Sequence, residues 1–579
     1  MRRIELQIRL LACIFSAGAV TASVATAQVV RPNAGTLSAP QPLPPSLPLP
    51  SGPLLVVPNV TPSVPAGPAV SIKPAAFLFE GNTLFSSEEL AALLADRVNR
   101  TTDLAGLTEA ARVIANYYRE RDYLLTEVYL PEQSFQASGG TVKIAIIEAH
   151  IGRVRVQVEG DKQDRISKSF AESGVLSSLK TGDPVTGYAL DRAILLLRDL
   201  NGYDADATVE PGQQVGEADI TVAIRAKGPL VAYSVSLDNY GTRAAGQVRA
   251  TLNLTVNNLL GHGDVATLSG QQADISGSRL YGLSYTLPVG SAGTQIGFSV
   301  ARLEYALEKQ FAALGATGNA DVLTLNLSHP FIRSRTNNLY GLLSVEQKKL
   351  SDGTATPAQQ SDRKINAVRF GLAGQYVDNL FGWSGFNAYR LNATAGNLHL
   401  DQASLAFDSG PSGLNAAGSF GKLNLDYQRT QIFSPASSFY ASLQAQLASK
   451  NLSSAEKMSL GGPDGVRSYP VGEGIGDDGL LLRLEYRYHL LSTVEVIGAP
   501  LTLLAFYDYG HLRFNHEGPI NANDVNSTSL GAVGIGATVE KVGDFSIKAY
   551  LAWRTTDALA TTGDPDRAPR VWLLLQKWF

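Results

Sequence analysis

Cysteine is nearly missing from this chain: Cys13 is the only one among 579 residues. It lies close to the N-terminus, so everything downstream has no disulfide, no thiolate metal site and no thiol chemistry. Charge is also scarce, at 17% of residues, which is low for a soluble protein. The net charge of −4 leaves no basic excess to hold a phosphate backbone, which argues against a nucleic-acid partner. After the N-terminal stretch, no apolar run approaches the ~18 residues that a spanning helix needs. There is no His-Glu-x-x-His, no Walker loop and no nucleophile elbow. Gly472-Glu473-Gly474-Ile475-Gly476 is glycine-rich but lacks the strand-to-helix context of a phosphate cradle. The seven histidines (His150, His262, His329, His399, His489, His511 and His516) show no metal-ligand spacing with a carboxylate. They read as surface, lumen or interface side chains. These absences point away from an enzyme, a cofactor and a metal.

Glycine and proline are plentiful, at 55 and 28. Residues Met1 to Ala27 read as a secretory signal. Arg2, Arg3 and Arg9 precede the apolar run Leu10 to Val20, and Ala25-Thr26-Ala27 is a small-residue cleavage site. Leu11-Ala12-Cys13 is set aside as a lipoprotein site, because no apolar run of useful length precedes Cys13. Gln28 to Lys73 is proline-rich, with 12 of the 28 prolines between Pro32 and Pro68. That density forbids a helix across the segment and favours extended backbone. It predicts a tether, or else a segment that threads or plugs a pore.

Residues 74–150 and 151–228 share one order of elements, β-α-α-β-β, over units of about 75 residues, which is an internal repeat. In the first unit Phe77-Leu78-Phe79 is a strand, and Ser86 or Ser87 caps a helix whose apolar face is Leu90, Leu93, Leu94 and Val98. A second helix is expected from Leu107 to Glu120, then strands at Leu124 to Leu130 and Val142 to Glu148. In the second unit a strand at Ile151 to Glu159 precedes helices at Arg165 to Gly174 and Gly187 to Leu200. Strands at Ala205 to Val209 and Ala218 to Arg225 complete it.

After Gly228 the helical period disappears. Side chains alternate with a period of two, which separates the faces of a strand. Phe439, Ala441, Leu443, Ala445 and Leu447 alternate with Tyr440, Ser442, Gln444 and Gln446. Leu480, Leu482, Leu484, Tyr486 and Tyr488 alternate with Arg483, Glu485, Arg487 and His489. Arginine and glutamate opposite so much Leu and Tyr suit a membrane barrel with lipid outside and water or a packed loop inside. Strands are expected to begin near residues 230, 246, 263, 278, 294, 320, 337, 364, 384, 418, 437, 479, 500, 529, 544 and 570. That makes sixteen, an even number, as in single-chain outer-membrane barrels. Closure removes the open edge that lipid could not satisfy. The expected fold is thus two α+β domains followed by a 16-stranded antiparallel transmembrane β-barrel over residues 229–579.

Between two of these strands lies a glycine-rich loop, residues 449–479, carrying Gly465-Val466-Arg467-Ser468-Tyr469. With the N-terminus in the periplasm, it is the sixth outer loop. Downstream, Phe506-Tyr507-Asp508-Tyr509-Gly510 lies on a strand. Asp508 shares parity with Thr502, Leu504 and Phe506, against Leu501, Leu503, Ala505, Tyr507 and Tyr509, so it faces inward. The loop is long enough to descend into the lumen and return. Arg467 is therefore expected to fold inside and form a bidentate pair with Asp508.

The motifs also resemble a known family. The first repeat reads Phe79-Glu80-Gly81-Asn82-Thr83, Tyr123 and Leu130-Pro131-Glu132-Gln133. The second reads Leu195-Leu196-Leu197-Arg198-Asp199-Leu200-Asn201-Gly202-Tyr203, with Asn201 where proline is usual. They resemble the first and second polypeptide-transport-associated (POTRA) domains of the ShlB/FhaC/HecB family of two-partner secretion transporters. Leu237-Asp238-Asn239-Tyr240-Gly241 and Asn257-Asn258-Leu259-Leu260-Gly261-His262-Gly263-Asp264 match that family's first barrel hairpin. The family's Val-Arg-Gly-Tyr stands here as Val466-Arg467-Ser468-Tyr469, and its Phe-x-Asp-x-Gly as Phe506 to Gly510. Ser468 departs from a glycine that can take positive φ.

The resemblance implies an outer-membrane transporter of a Gram-negative bacterium, with its POTRA domains in the periplasm. It would export one large unfolded exoprotein, recognised through an N-terminal secretion domain. The partners implied are that exoprotein, outer-membrane lipid and the barrel-assembly machinery, which reads a terminal aromatic such as Phe579. An assembly factor that inserts other barrels is the alternative on a related architecture.

Overall fold

The computed structural model describes residues 32–37, 55–56, 71–134, 140–159, 166–274, 277–490, 498–519, 524–558, 560–562, 564 and 567–579. The secretory signal expected at residues 1–27 and most of the proline-rich stretch lie outside the described residues.

The first repeat is a three-stranded sheet under two helices. Pro74–Glu80 runs parallel to Gly140–Ile147, which pairs antiparallel with Glu127–Tyr129. The Ser86 hydroxyl caps helix Ser87–Ala92, accepting from the Glu89 N–H at 3.2 Å. The second helix begins at Leu104 rather than at the expected Leu107, because Asp103 supplies a cap to the Gly106 N–H at 2.8 Å. It buries Leu107, Ala110, Ala111, Ile114, Ala115 and Tyr118, a single stripe at spacings of three and four. Glu148 closes the domain: Thr83 N–H (2.9 Å), Leu84 N–H (3.0 Å) and the Tyr118 hydroxyl (2.7 Å) all donate to it.

In the second repeat, Glu217–Ala226 lies between His150–Glu159 and Tyr203–Pro211. Its first helix is Lys168–Ser178, displaced from the expected Arg165 to Gly174 because Ser167 is the cap. The second, Gly187–Arg198, buries Leu195, Leu196 and Leu197 in succession. Three consecutive buried leucines require apolar contact on more than one side. One side is the domain's own sheet; on another, a Cβ added at Gly293 of a barrel turn would lie 2.4 Å from Leu196. Leu55–Val56, from the proline-rich segment, adds a parallel strand to the Tyr203–Pro211 edge.

The rest closes into one antiparallel ring of sixteen strands, numbered from β1 (Val231–Asp238) to β16 (Arg570–Trp578). Every expected strand is present. The largest displacement is at β8 (Ala358–Asp378), expected from residue 364. It starts earlier because its pairing with β7 (Asn337–Ala355) continues through polar sequence to Ala355↔Ala358. Large apolar side chains remain exposed on the outer wall, Leu252, Leu268, Leu325, Phe370, Leu423 and Ile535 among them. A continuous apolar wall on a closed barrel is a lipid-facing surface. The seam is short: β16 meets β1 in five residue pairs, Leu574↔Asp238 to Trp578↔Ser234. Tyr233 and Phe579 then exchange backbone hydrogen bonds, and their rings stack at 4.7 Å.

A short helix, Ala34–Leu37, lies inside this ring. Ala34 is fully buried among Leu303, Phe311, Leu350 and Leu398, and its N–H donates to Asp352 at 2.7 Å. Part of the proline-rich segment is therefore more than a tether: residues 32–37 occupy the lumen near the outer end of β7.

Candidate functional site at the lumen wall

The loop between β11 (Ser437–Ala448) and β12 (Asp478–His489) folds into the barrel. It makes a small hairpin, with Met458–Ser459 paired to Ile475–Gly476. Its apolar residues explain the direction. Leu460, Val466 and Tyr469 are fully buried against Leu481, Leu512, Leu530 and Ala532 of the inner wall. Glycine is required where the backbones meet. A Cβ at Gly465 would lie 1.9 Å from the Leu460 carbonyl oxygen, while Gly510 sits directly under the Leu460 side chain.

This packing delivers Arg467 to the wall with no exposed side-chain surface. Asp508, on β13 (Leu501–Arg513), is equally buried. The guanidinium forks onto the carboxylate through Nε (2.8 Å) and Nη2 (2.7 Å), and the Arg467 backbone N–H adds a third bond at 3.1 Å. Nη1 donates to Glu485 at 2.8 Å. The guanidinium carbon stands 3.5 Å from the centre of the Phe506 ring, a cation–π contact. A buried arginine is tolerable only with this degree of pairing.

The sequence places Glu485 on the inner face of β12 by parity, yet it was not foreseen as a partner of Arg467. The strand register puts Phe506 opposite Glu485, and Arg483 opposite Asp508. That pairing gathers the whole site, and only the closed sheet supplies it. Arg487 also donates to Glu485, at 2.6 Å.

The neighbouring motif residues are held as firmly. Ser468 stays outside the left-handed region, so its departure from glycine carries no backbone strain. Its hydroxyl donates to the Gly531 carbonyl at 3.1 Å. The Tyr469 hydroxyl donates to the Ala558 carbonyl at 2.7 Å. Three loop carboxylates add further ties. Glu456 meets Lys348 (2.8 Å) and Lys422 (2.7 Å), Asp477 meets Lys457 (3.0 Å), and Glu473 accepts the Thr561 N–H (2.8 Å). The same loop touches the N-terminal helix: the Ser454 hydroxyl donates to Asn33 at 2.9 Å.

At the other end, the second α+β domain clasps the barrel's turns. Arg333 forks onto Asp199 (2.6 and 2.8 Å), and Arg335 meets Asp191 at 2.8 Å. Burial pushes the Asp191 carboxyl above its usual range, outweighing Arg335. The turn at Asn258 to Asp264, recognised as a hairpin motif, is also a docking element. His262 packs on Phe170 at 4.9 Å, and a Cβ at Gly263 would lie 2.6 Å from Leu200.

A lipid-facing barrel, two small domains clasped to its turns and a loop pinned inside the pore together define an outer-membrane protein transporter. The model of the family "Haemolysin secretion/activation protein ShlB/FhaC/HecB" matches residues 216–537, and that of the ShlB-type POTRA domain matches residues 74–149. The chain belongs to the ShlB/FhaC/HecB family. It is 28% identical over 470 residues to the heme/hemopexin transporter protein HuxB of Haemophilus influenzae (strain 86-028NP), covering 80% of each chain. It is 23% identical over 468 residues to the outer membrane transporter CdiB of Dickeya dadantii (strain 3937), covering 80% of this chain and 79% of that one. The solved structure of CdiB from Escherichia coli shares the fold, with a TM-score of 0.67, 21% identity and coverage of 90% and 93%. The protein is thus a two-partner secretion transporter of the outer membrane with its POTRA domains in the periplasm, and the family match selects export over barrel assembly.

Proposed function

We propose that this transporter exports one large exoprotein in unfolded form, and that Arg467 with Asp508 and Glu485 is the latch that keeps the pore closed between passages. The carrying observation is the burial of Arg467 on two inner-wall carboxylates, at the tip of a loop that crosses the lumen. A polypeptide passing through must displace that loop. The helix Ala34–Leu37, tied to the loop through Ser454, acts as a second plug. The POTRA domains bind the exoprotein's N-terminal secretion domain by strand addition at their exposed edges, where backbone pairing gives affinity and alternate side chains give selectivity. Phe579, at the seam, is the signal read by the barrel-assembly machinery during insertion. The outer apolar wall is the surface offered to outer-membrane lipid.

Secretion of the cognate exoprotein tests this reading directly. Arg467→Ala should strongly reduce secretion while the barrel still inserts and resists unfolding in cold detergent. Wild-type secretion by that variant would remove the latch from the mechanism.

A further inference from the structure

The wall around the latch holds one more cation than the latch uses. Arg483 lies opposite Asp508 on the neighbouring strand, facing the same lumen. Its Nε is 3.8 Å from Asp508 Oδ1 and makes no hydrogen bond among the described residues. Its Nη2 is 3.6 Å from Glu485 Oε1, also beyond hydrogen-bond reach. Among the described residues its hydrogen bond is to the loop: Nη1 donates to the Asp464 carbonyl at 3.1 Å. Asp464 sits three residues before Arg467, at the loop tip. Both Asp508 oxygens are meanwhile taken by Arg467.

We infer that Arg483 is a stand-in counter-ion: when the loop leaves, it takes the place of Arg467 on Asp508, which makes the latch reversible. The inference rests on the latch reading above and deepens it. Withdrawal of the loop does two things at once. It empties the Asp508 oxygens, and it removes the Asp464 carbonyl that holds Arg483 aside. Arg483 then has to move its Nε by only about 1 Å to reach the ~2.8 Å of a charge-assisted bond. The charges agree. With Arg467 seated, three arginines (467, 483 and 487) face two carboxylates, Glu485 and Asp508. With Arg467 gone, two arginines face the same two carboxylates, and no acid is stranded on a poorly hydrated wall. Re-entry reverses the exchange, because the Asp464 carbonyl draws Arg483 back as Arg467 displaces it.

The test measures how often the loop leaves. Pro463 is buried beside the tip, so a cysteine there is reachable only in the released state. Cys13 is the sole native cysteine, so Pro463→Cys combined with Cys13→Ser in the full-length transporter, inserted in liposomes, gives one thiol to follow with a bulky maleimide. Arg483→Met should slow labelling at least about tenfold, since release now strands Asp508 without a charged hydrogen-bond partner. Arg483→Lys should slow it less, because an ammonium cannot fork; this variant also serves if Arg483→Met fails to insert. A purely structural role makes the opposite forecast. If Arg483 only braces the Asp464 carbonyl, either substitution loosens the loop and speeds labelling. Unchanged or faster labelling overturns the exchange. Arg467→Ala on the same background separates the two readings. If it fails to speed labelling, the latch itself is wrong; if it does while Arg483→Met has no slowing effect, the latch stands and the exchange falls.

Discussion

The indole N–H of Trp572 donates to the backbone carbonyl of Arg467 at 2.7 Å, tying the loop tip to the last strand of the barrel. Trp572 is itself nearly fully buried and edge-on to Tyr240 at 5.8 Å, beyond the end of β1. The loop tip is therefore joined to the last strand of the short seam and, through Trp572, to the residues that follow β1. Trp572→Phe keeps the ring and removes the donor, leaving a buried carbonyl unpaired at a cost of ~1–3 kcal/mol. More frequent openings in planar bilayers are expected, at unchanged insertion. Opening statistics equal to wild type would mean that the bond does not restrain the tip.

Arg467→Ala leaves Asp508 and Glu485 facing each other's field. Removing one partner of a buried pair costs ~3–5 kcal/mol, and the remaining Arg483 and Arg487 bring the expected loss toward the lower figure. Arg467→Lys should recover part of the secretion, since an ammonium reaches one oxygen where the guanidinium forks. The charge swap, Arg467→Asp with Asp508→Arg, should recover little, because the new aspartate would confront Glu485. Full rescue by the swap, measured as exoprotein released per inserted barrel, would show that Glu485 contributes nothing.

Deleting residues 33–37 should raise single-channel conductance, since Ala34 and its neighbours occupy lumen beside Asp352. Ala34→Asp should act in the same direction by placing a second carboxylate against Asp352. Conductance equal to wild type for both would exclude occlusion by this segment.

The first POTRA domain carries a pH dependence of known sign. Burial raises the Glu148 pKa, but hydrogen bonds from Thr83, Leu84 and Tyr118 outweigh it, and the carboxyl ends below its usual value. A depressed folded pKa stabilises the fold above the unfolded value of ~4.3, and that stability is lost as pH falls through the folded value. Exchange protection of the Leu84 amide, followed by mass spectrometry on the intact protein, should hold at neutral pH and collapse in acid. Glu148→Gln should lower the protection at neutral pH and flatten the profile. A profile identical to wild type would remove Glu148 from the fold's pH response.

Much of this site was readable in the chain. Parity alone turned Asp508 inward, and the length and glycine content of the loop allowed Arg467 to reach it. Glu485 had the right parity as well. What parity cannot provide is register between strands, and register is what puts Phe506 opposite Glu485 and Arg483 opposite Asp508. The helix starts at Leu104 and Lys168 were missed by a few residues, because the caps Asp103 and Ser167 stand among other residues able to cap.

The alternation of faces, the number of strands, the repeat of two α+β units and the pairing of Arg467 with Asp508 were all legible in the chain. All of these follow from short-range periodicity or from a motif within a few residues. The folded chain alone shows that Ala34 meets Asp352 across 318 positions, that Trp572 holds Arg467 across 105, and that Arg333 clasps Asp199 across 134. The first two arise when sixteen strands close into a ring and bring Ala34 and the last strand to one interior, and the third when the second α+β domain docks on the ring's turns. Closure is a property of the whole sheet, with its strand count, stagger and tilt linked, and no local window of sequence contains it.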